Sequence, residues 1–390
     1  MISINELLPK DREQALLVGR VFDPLVGGPC IVCVDGDDLV DMTAIEPTMS
    51  RLLARTDLID VVRAARPGDR RWSIDEVLPA MNDASSEGLR LLSPIDLQVV
   101  KAAGVTFVES MLERVVEERA KGNPEDANRI RGKLVEVIGG SIASVKPGSP
   151  EAADVKAMLI RDGLWSQYLE VGIGPDPEVF TKAPVLSSVG SGQEIGVLER
   201  SVWNNPEPEL VLAVRADGTA VGATLGNDVN LRDIEGRSAL LLGEAKDNNA
   251  SCAIGPFIRL FDEGFGMNEI RRIDITLRVE GLDGFVMDGS SSMSNISRDP
   301  EELVAHVVGK NHQYPDGFVL FTGTLFAPTQ DRHQPGGGFT HDVGDVVRIS
   351  TPMLGQLANR VTFCETAAPW TFGIWSLFAN LHARDLLPAN

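Results

Sequence analysis

The sequence predicts an α+β protein, with a small N-terminal α/β module ahead of a larger domain built on mixed sheet. Three observations predict it. Residues 15–45 alternate apolar runs with Gly and Asp turns, residues 105–119 space their apolar side chains as a helix does, and beyond Phe180 short apolar runs recur between Gly, Asp and Asn. At 390 residues and 43% apolar content, the chain has room for one large domain with an appendage, or for two domains, each with a real core.

The N-terminal module is expected over residues 1–95, with strands in 15–45, short charged helices and loops in 46–92, and LLSPIDLQ around Pro94 as the linker to a domain spanning 96–390. Cys30 and Cys33 form a CxxC pair in this module. PCIVCVDGDDLV reads as a strand entering a turn at Asp35-Gly36, and residues three apart on a strand point to opposite faces. No second pair completes a tetrahedral zinc site, so both are expected as small buried apolar side chains. Four cysteines are too few for a disulfide framework in a chain of this length.

From Val105 to Arg119, Val108, Met111, Leu112 and Val115 share one helical face, while Glu109, Glu113 and Glu117 form a stripe at four-residue steps. Further helical stretches run to about Tyr168. Strands are then expected at ELVLAV, TAVGATL, RIDITLRVEG, GFVLFTGTLF and DVVRIST. One helix interrupts them, because Asp299-Pro300-Glu301-Glu302 offers a cap, a proline at the first helical position and acid at the positive end of the dipole. The closing stretch WTFGIWSLFANLHARDLL is amphipathic, and Trp370, Phe372, Trp375 and Phe378 are expected in the core or at a subunit contact.

Fifty-six acidic residues against 36 basic give a formal charge of -20, a field that repels nucleic acid and anionic lipid. MISINELLPKDREQ has no basic segment followed by an apolar one, and nowhere do about 18 uninterrupted apolar residues occur. A cytoplasmic chain with neither nucleic-acid nor membrane partner is expected. Gly190-Ser191-Gly192 with Gly196 misses the dinucleotide spacing and reads as a loop, as do Gly336 to Gly338, whose place also allows a lid. His306, His312, His333, His341 and His382 lack metal-binding spacing, and Ser290 to Ser292 lack a nucleophile elbow.

The chemistry gathers at NNPEPELVL, residues 204–212. Glu207 and Glu209 lie two apart at the head of a strand and so project to one side, with Pro208 on the other. Two buried carboxylates repel unless a hard cation such as magnesium takes their oxygens. Asp228, in GATLGNDVNLRD, is the third carboxylate that a hairpin between ELVLAV and TAVGATL would bring alongside. By residue type alone, solvated acids at a sheet edge are the commoner reading.

The ordered blocks EPE, LGNDVNLRDIEG, EAKDNNASCAIGPF, LFTGTLF and HDVGDVVRISTPMLGQLANRV resemble the catalytic domain of the fumarylacetoacetate hydrolase superfamily, over roughly residues 100–365. That resemblance implies a mixed β-roll, a homodimer or dimer of dimers, and Mg2+ or Mn2+ held by Glu207, Glu209 and Asp228. It implies Arg232 as substrate-binding arginine, Lys246 as catalytic lysine, and Thr324 against the carboxylate end of the substrate. Glu235, Ser187 and Ser188 complete the substrate-binding set. WNNPEPE, LGNDVNLRD and AKDNNASCAIGPF are most similar to the 2-keto-3-deoxypentonate dehydratases.

Two departures favour dehydration over hydrolysis. The hydrolases' Asn-Tyr-x-Asp-His-x-x-Glu motif corresponds to Thr106 through Glu113, where Ser110 replaces the histidine, and Glu235 stands where they commonly carry glutamine. A glutamate without its imidazole partner makes hydroxide poorly but can still protonate a leaving hydroxyl. The implied reaction converts a 2-keto-3-deoxy sugar acid to 2-oxoglutarate semialdehyde through a metal-stabilised enolate. Lys246, its pKa lowered between Arg232 and the metal, would be the base, and Glu113 or Glu109, raised by burial and like charge, the acid. A carbon–carbon hydrolase or keto-acid decarboxylase, and a ligand-binding protein without catalysis, are the alternatives.

Overall fold

The computed structural model describes residues 2–65, 70–83, 88–134, 142, 145–335 and 337–387. Two open, mixed sheets organise it. In the larger, the strand order is 71–73, 38–41, 28–35, 17–23, 252–260, 220–228, 208–214, 318–321, 99–104 and 178–183, with 90–92 attached to 17–23. Its neighbours are antiparallel except for 318–321 beside 99–104. The smaller sheet runs 286–292, 274–280, 346–351, 355–363 and 194–197, the last pair parallel.

Burial explains the patterning of each strand. Leu210, Leu212 and Val214 enter the core between the sheets, where they join Ile275, Leu277, Val279, Ile349 and Leu357 of the smaller sheet. Val211 and Ala213 of the same strand enter a second core with Met49, Leu52 and Ile258. Buried on both faces, Pro208–Val214 therefore reads as an unbroken apolar run. By contrast, Asp274–Glu280 keeps one face wet, and its buried and exposed residues alternate.

The N-terminal strands extend the large sheet, because Leu17–Asp23 pairs with Cys252–Leu260. Gly28–Asp35 and Asp38–Asp41 form the expected hairpin, with Gly36 at φ +64 in the turn. Cys30 packs with Leu17 and Trp72, whereas Cys33 packs with Met49 and Leu52 on the opposite face. All four cysteines are free and buried.

The helix Val108–Ala120 packs its predicted apolar face against residues of the helices Pro124–Leu134 and Gln167–Ile173. The helix Pro300–Val307 begins as expected, with the Asp299 carboxylate accepting from Glu301 N at 2.9 Å. At the closing helix Ile374–Ala383 the core alternative of the expectation fails. Only Leu377 and Leu381 are buried, while Trp375 is 83% and Trp370 47% exposed, so these aromatics are not core. The helix is held instead by Asn380 and Arg384, which donate to the carbonyls of Val26 and Pro29. Gly336 of the glycine run lies outside the described residues. Among those described, no helix is long and apolar enough to cross a membrane.

Candidate metal centre and active site

The hairpin of Pro208–Val214 with Ala220–Asp228 assembles the three carboxylates. Glu209 pairs with Gly226 and Pro208 with Asn227, and one step further Asp228 N donates to Glu207 O at 3.0 Å. Glu207 therefore stands opposite Asp228, with Glu209 two residues along on the same face. Oxygens of the three lie within 4.8 Å of one another, and each residue is at most 2% exposed. Glu209 also accepts from Gly323 N at 2.7 Å. Gly323 sits at φ +104, a conformation that favours glycine, so this donor depends on the glycine of the TGT segment. Thr324 follows it into the cavity wall, its hydroxyl donating to Phe326 O at 3.1 Å.

Around the carboxylates the side chains form a ladder of alternating charge. Lys182, fully buried, places Nζ 2.9 Å from Asp228 Oδ1 and donates to the carbonyls of Val229 and Lys246. Lys246 donates to Asp228 Oδ2 at 3.0 Å and to Glu207. Arg114 binds Glu207 and Glu117 and lies 3.3 Å from Glu235. Glu117 accepts from Arg232 Nε at 2.7 Å, Arg232 Nη2 donates to Glu113 at 2.8 Å, and Arg131 Nε donates to Glu113 at 2.6 Å.

Those five cationic groups face the carboxyls of Glu113, Glu117, Glu178, Glu207, Glu209, Asp228 and Glu235, which exceed them by two negative charges when all are ionised. The excess is expressed at Glu209, whose pKa is pushed well up by burial and then by Asp228 and Glu207. A buried, oxygen-only donor set with that charge fits one hard divalent cation. Because Arg114 and Lys246 reach into it, the cavity is small, about 20 Å³, the size of an ion or a water.

The predicted residues divide into two groups. Glu207, Glu209, Asp228, Lys246, Glu235 and Thr324 share the cavity; Arg232, Glu113, Glu109, Ser187 and Ser188 do not line it. Arg232 spends its donors on Glu117, Glu113 and Pro328 O, and stacks 4.3 Å from the Trp203 ring. Burial raises the Glu113 carboxyl, but hydrogen bonds and charge from Arg131 and Arg232 outweigh it, so its pKa falls below the usual value. That reverses the expected direction and makes Glu113 a poor acid. Glu109 is exposed on the far side of the helix. Lys246 is also reversed. Burial alone would lower its pKa, yet Asp228, Glu207 and Glu235 hold it above its ordinary value, because its neighbours here are carboxylates rather than cations. Ser187 and Ser188 line a different and larger cavity, about 590 Å³.

Three residues of the site escape sequence reasoning: Arg114, Lys182 and Glu178 line or brace it without belonging to a quoted block. Arg114 stands three residues before Glu117, the spacing of a helical ion pair, which is the signal that this face is not simply solvated. The Glu178 carboxyl lines the cavity with no hydrogen bond or ion pair among the described residues. Its Oε2 occupies the place of a side chain at Gly104, where a Cβ would lie 2.0 Å away. Burial, then Glu235, push its carboxyl up to about 7.

Residues 172–362 match the model of the fumarylacetoacetate (FAA) hydrolase C-terminal family. Two relatives sharpen the likeness. A Haloferax volcanii protein described as a probable 2-keto-3-deoxyxylonate dehydratase is 33% identical over 195 residues, covering 50% of this chain and 63% of its own length. The 2-dehydro-3-deoxy-D-arabinonate dehydratase of Saccharolobus solfataricus is 32% identical over 185 residues, covering 47% and 58%. Both alignments therefore span less than two thirds of the relative. The fold is similar to that of 2-keto-3-deoxy-D-arabinonate dehydratase complexed with magnesium and 2,5-dioxopentanoate, at TM-score 0.62 and 22% identity over 89% of this chain and 99% of that one.

Proposed function

We propose that this chain is a metal-dependent dehydratase that converts a 2-keto-3-deoxypentonate to 2-oxoglutarate semialdehyde. The observation that carries the reading is the convergence of Glu207, Glu209 and Asp228 with Lys246 in one buried cavity, in a chain whose relatives are named for this reaction. Magnesium is the proposed ion, supported by the all-oxygen donor set and by the magnesium complex of the similar fold.

A divalent cation held by the three carboxylates would polarise a 2-keto acid and favour loss of a proton from its carbon 3. Lys246 is placed to take that proton. With Glu207 and Asp228 committed elsewhere, it would lose the carboxylates that hold it charged, and its burial would then favour the neutral amine. Arg114, released from Glu207, would be free to meet the substrate carboxylate. A five-carbon acid needs more room than the present cavity, so this displacement of Arg114 is part of the proposal.

Glu178 replaces Glu113 and Glu109 as the acid. It is a cavity-lining carboxyl without a partner among the described residues, and at about 7 it is partly protonated near neutrality. The carbon 4–oxygen bond breaks with its electron pair on oxygen, Glu178 supplies the proton that makes water, and the enolate pair becomes the carbon 3–carbon 4 double bond. Glu178 then takes a proton from carbon 5 while Lys246 returns one to carbon 3, leaving an enol that tautomerises to the aldehyde. Ser110 supports elimination over hydrolysis, because its hydroxyl donates to Phe107 O at 2.9 Å and offers no base.

The test is an end-point assay of both carbon 4 enantiomers with Mg2+, with products resolved by NMR. Loss of water with an intact five-carbon skeleton is expected from one or both. A cleaved skeleton, or no turnover of either, would remove the reading.

A further inference from the structure

The cavity of about 590 Å³ shares no wall residue with the carboxylate site, and its size is that of a small-molecule pocket. Its lining comes chiefly from the strands 17–23 and 90–92, the loop 186–194 and the segment 367–372, with Met81 and Asn249 beside them. In the sheet register Arg20 faces Leu92 and Phe22 faces Arg90, so two guanidiniums and a ring share one surface.

Both guanidiniums keep unspent donors. Arg20 is 4% exposed; its Nη1 donates to the carbonyls of Ser93 and Ile95, but Nε is buried without a partner. Asp96, the carboxylate beside it, lies 3.9 Å from Nε and accepts instead from the backbone N–H groups of Met49, Ser50 and Leu97. Arg90 lies over the Phe22 ring, its guanidinium carbon 4.0 Å from the centroid, and makes no hydrogen bond or ion pair among the described residues. Burial alone lowers its pKa, with no carboxylate opposing it. Across the cavity, Trp370 Nε1 donates to Phe372 O at 3.1 Å, which fixes the indole against the wall. Glu194 is the single carboxylate among the lining residues described.

We propose that this cavity is a binding site for a small flat carboxylate, its charge against Arg20 and Arg90 and its apolar body between Phe22 and Trp370. A guanidinium stacked on an aromatic ring presents its in-plane N–H groups outward, the geometry that takes a carboxylate in two parallel hydrogen bonds. A buried cation with an unused donor is costly, and an anion that completes its hydrogen bonds recovers part of that cost. The rings supply the apolar contact that gives such a ligand its affinity.

Calorimetric titration of the full chain with 2-naphthoate and its neutral isostere 2-naphthamide tests this. One-to-one binding of the acid is expected, at least about tenfold tighter than the amide, because the charged hydrogen bonds carry the difference. Arg90→Met should weaken the acid by at least about tenfold while leaving Tm unchanged, and Glu209→Gln should leave binding intact. Equal affinity for acid and amide, no binding of either, indifference to Arg90→Met, or loss of binding in Glu209→Gln would each overturn the proposal. The last result would place the ligand at the carboxylates instead.

Discussion

Arg232 Nη2 lies 2.8 Å from Glu113 Oε2, and that pair keeps both residues out of the carboxylate cavity. Glu113 bridges Arg232 and Arg131, which opposes a role as proton donor. Glu113→Gln should therefore destabilise the fold by about 2 kcal/mol, the order expected when hydrogen bonds to charged groups are weakened in a buried place. Urea unfolding measures the loss. A fall in turnover of two orders of magnitude at unchanged stability would return Glu113 to catalysis.

Glu209 is a carboxylate that the fold tolerates poorly without a cation. Its neutral replacement Glu209→Gln should raise Tm in metal-free buffer, since burial and the charges of Asp228 and Glu207 already oppose its ionisation. In wild type, Mg2+ should raise Tm with concentration; in the variant that response should vanish. A variant that keeps the wild-type magnesium response would exclude Glu209 as a ligand.

Lys182 acts through Asp228 and through the backbone carbonyl of Lys246, so it is a positioning residue. Lys182→Met should weaken Mn2+ binding by about 10- to 100-fold, the usual effect of losing a group that orients a metal ligand. Direct titration followed by electron paramagnetic resonance reads it without reference to activity. Unchanged affinity would show that Asp228 is held by the strand alone.

Glu178→Gln separates the two proton transfers. Release of water should fall by at least about 100-fold. Exchange of the carbon 3 hydrogens with D2O, which the proposal assigns to Lys246, should continue. If both stop together, Glu178 is the carbon 3 base; if both continue, it carries no proton.

Asp345 provides the pH signature. Arg332 grips it with two hydrogen bonds, at 2.6 and 2.8 Å, and His341 Nδ1 lies 3.1 Å away. Burial raises its carboxyl, but His341 and Arg332 outweigh it and hold the pKa at about 2, against 3.8 ordinarily. A carboxylate depressed on folding stabilises above its unfolded pKa and loses that stability as pH falls through the folded one. The contribution, about 2 kcal/mol by linkage, should be full above pH 3.8 and gone below about pH 2. Asp345→Asn should flatten acid unfolding across that window, measured as the difference from wild type; parallel curves would show that Arg332 and His341 do not depend on its charge.

What the sequence determined by itself is what local chemistry decides. The cap at Asp299, the turn at Gly36 and the opposed faces of Cys30 and Cys33 follow from residue type and period, and they appear as expected. The approach of the three carboxylates was legible too, because Glu207 and Glu209 need only the period of a strand and Asp228 only a hairpin, but residue type alone left them readable as solvated edge acids. The tertiary structure decided which charges meet. Arg114 rather than Arg232 lines the cavity, the carboxyl of Glu178 rather than that of Glu113 is unpaired there, and Lys182 arrives from the edge strand of the larger sheet. The reason is that helical and strand periods say which side chains share a face but not what that face will meet. A glutamate at four-residue spacing is solvated or buried according to the cations opposite it, and at Glu113 those are Arg131 and Arg232, 18 and 119 positions away. The terminal aromatics show the same limit from the other side. Their helical spacing marks an apolar face, but only the fold shows that Trp370 and Trp375 stay outside the core.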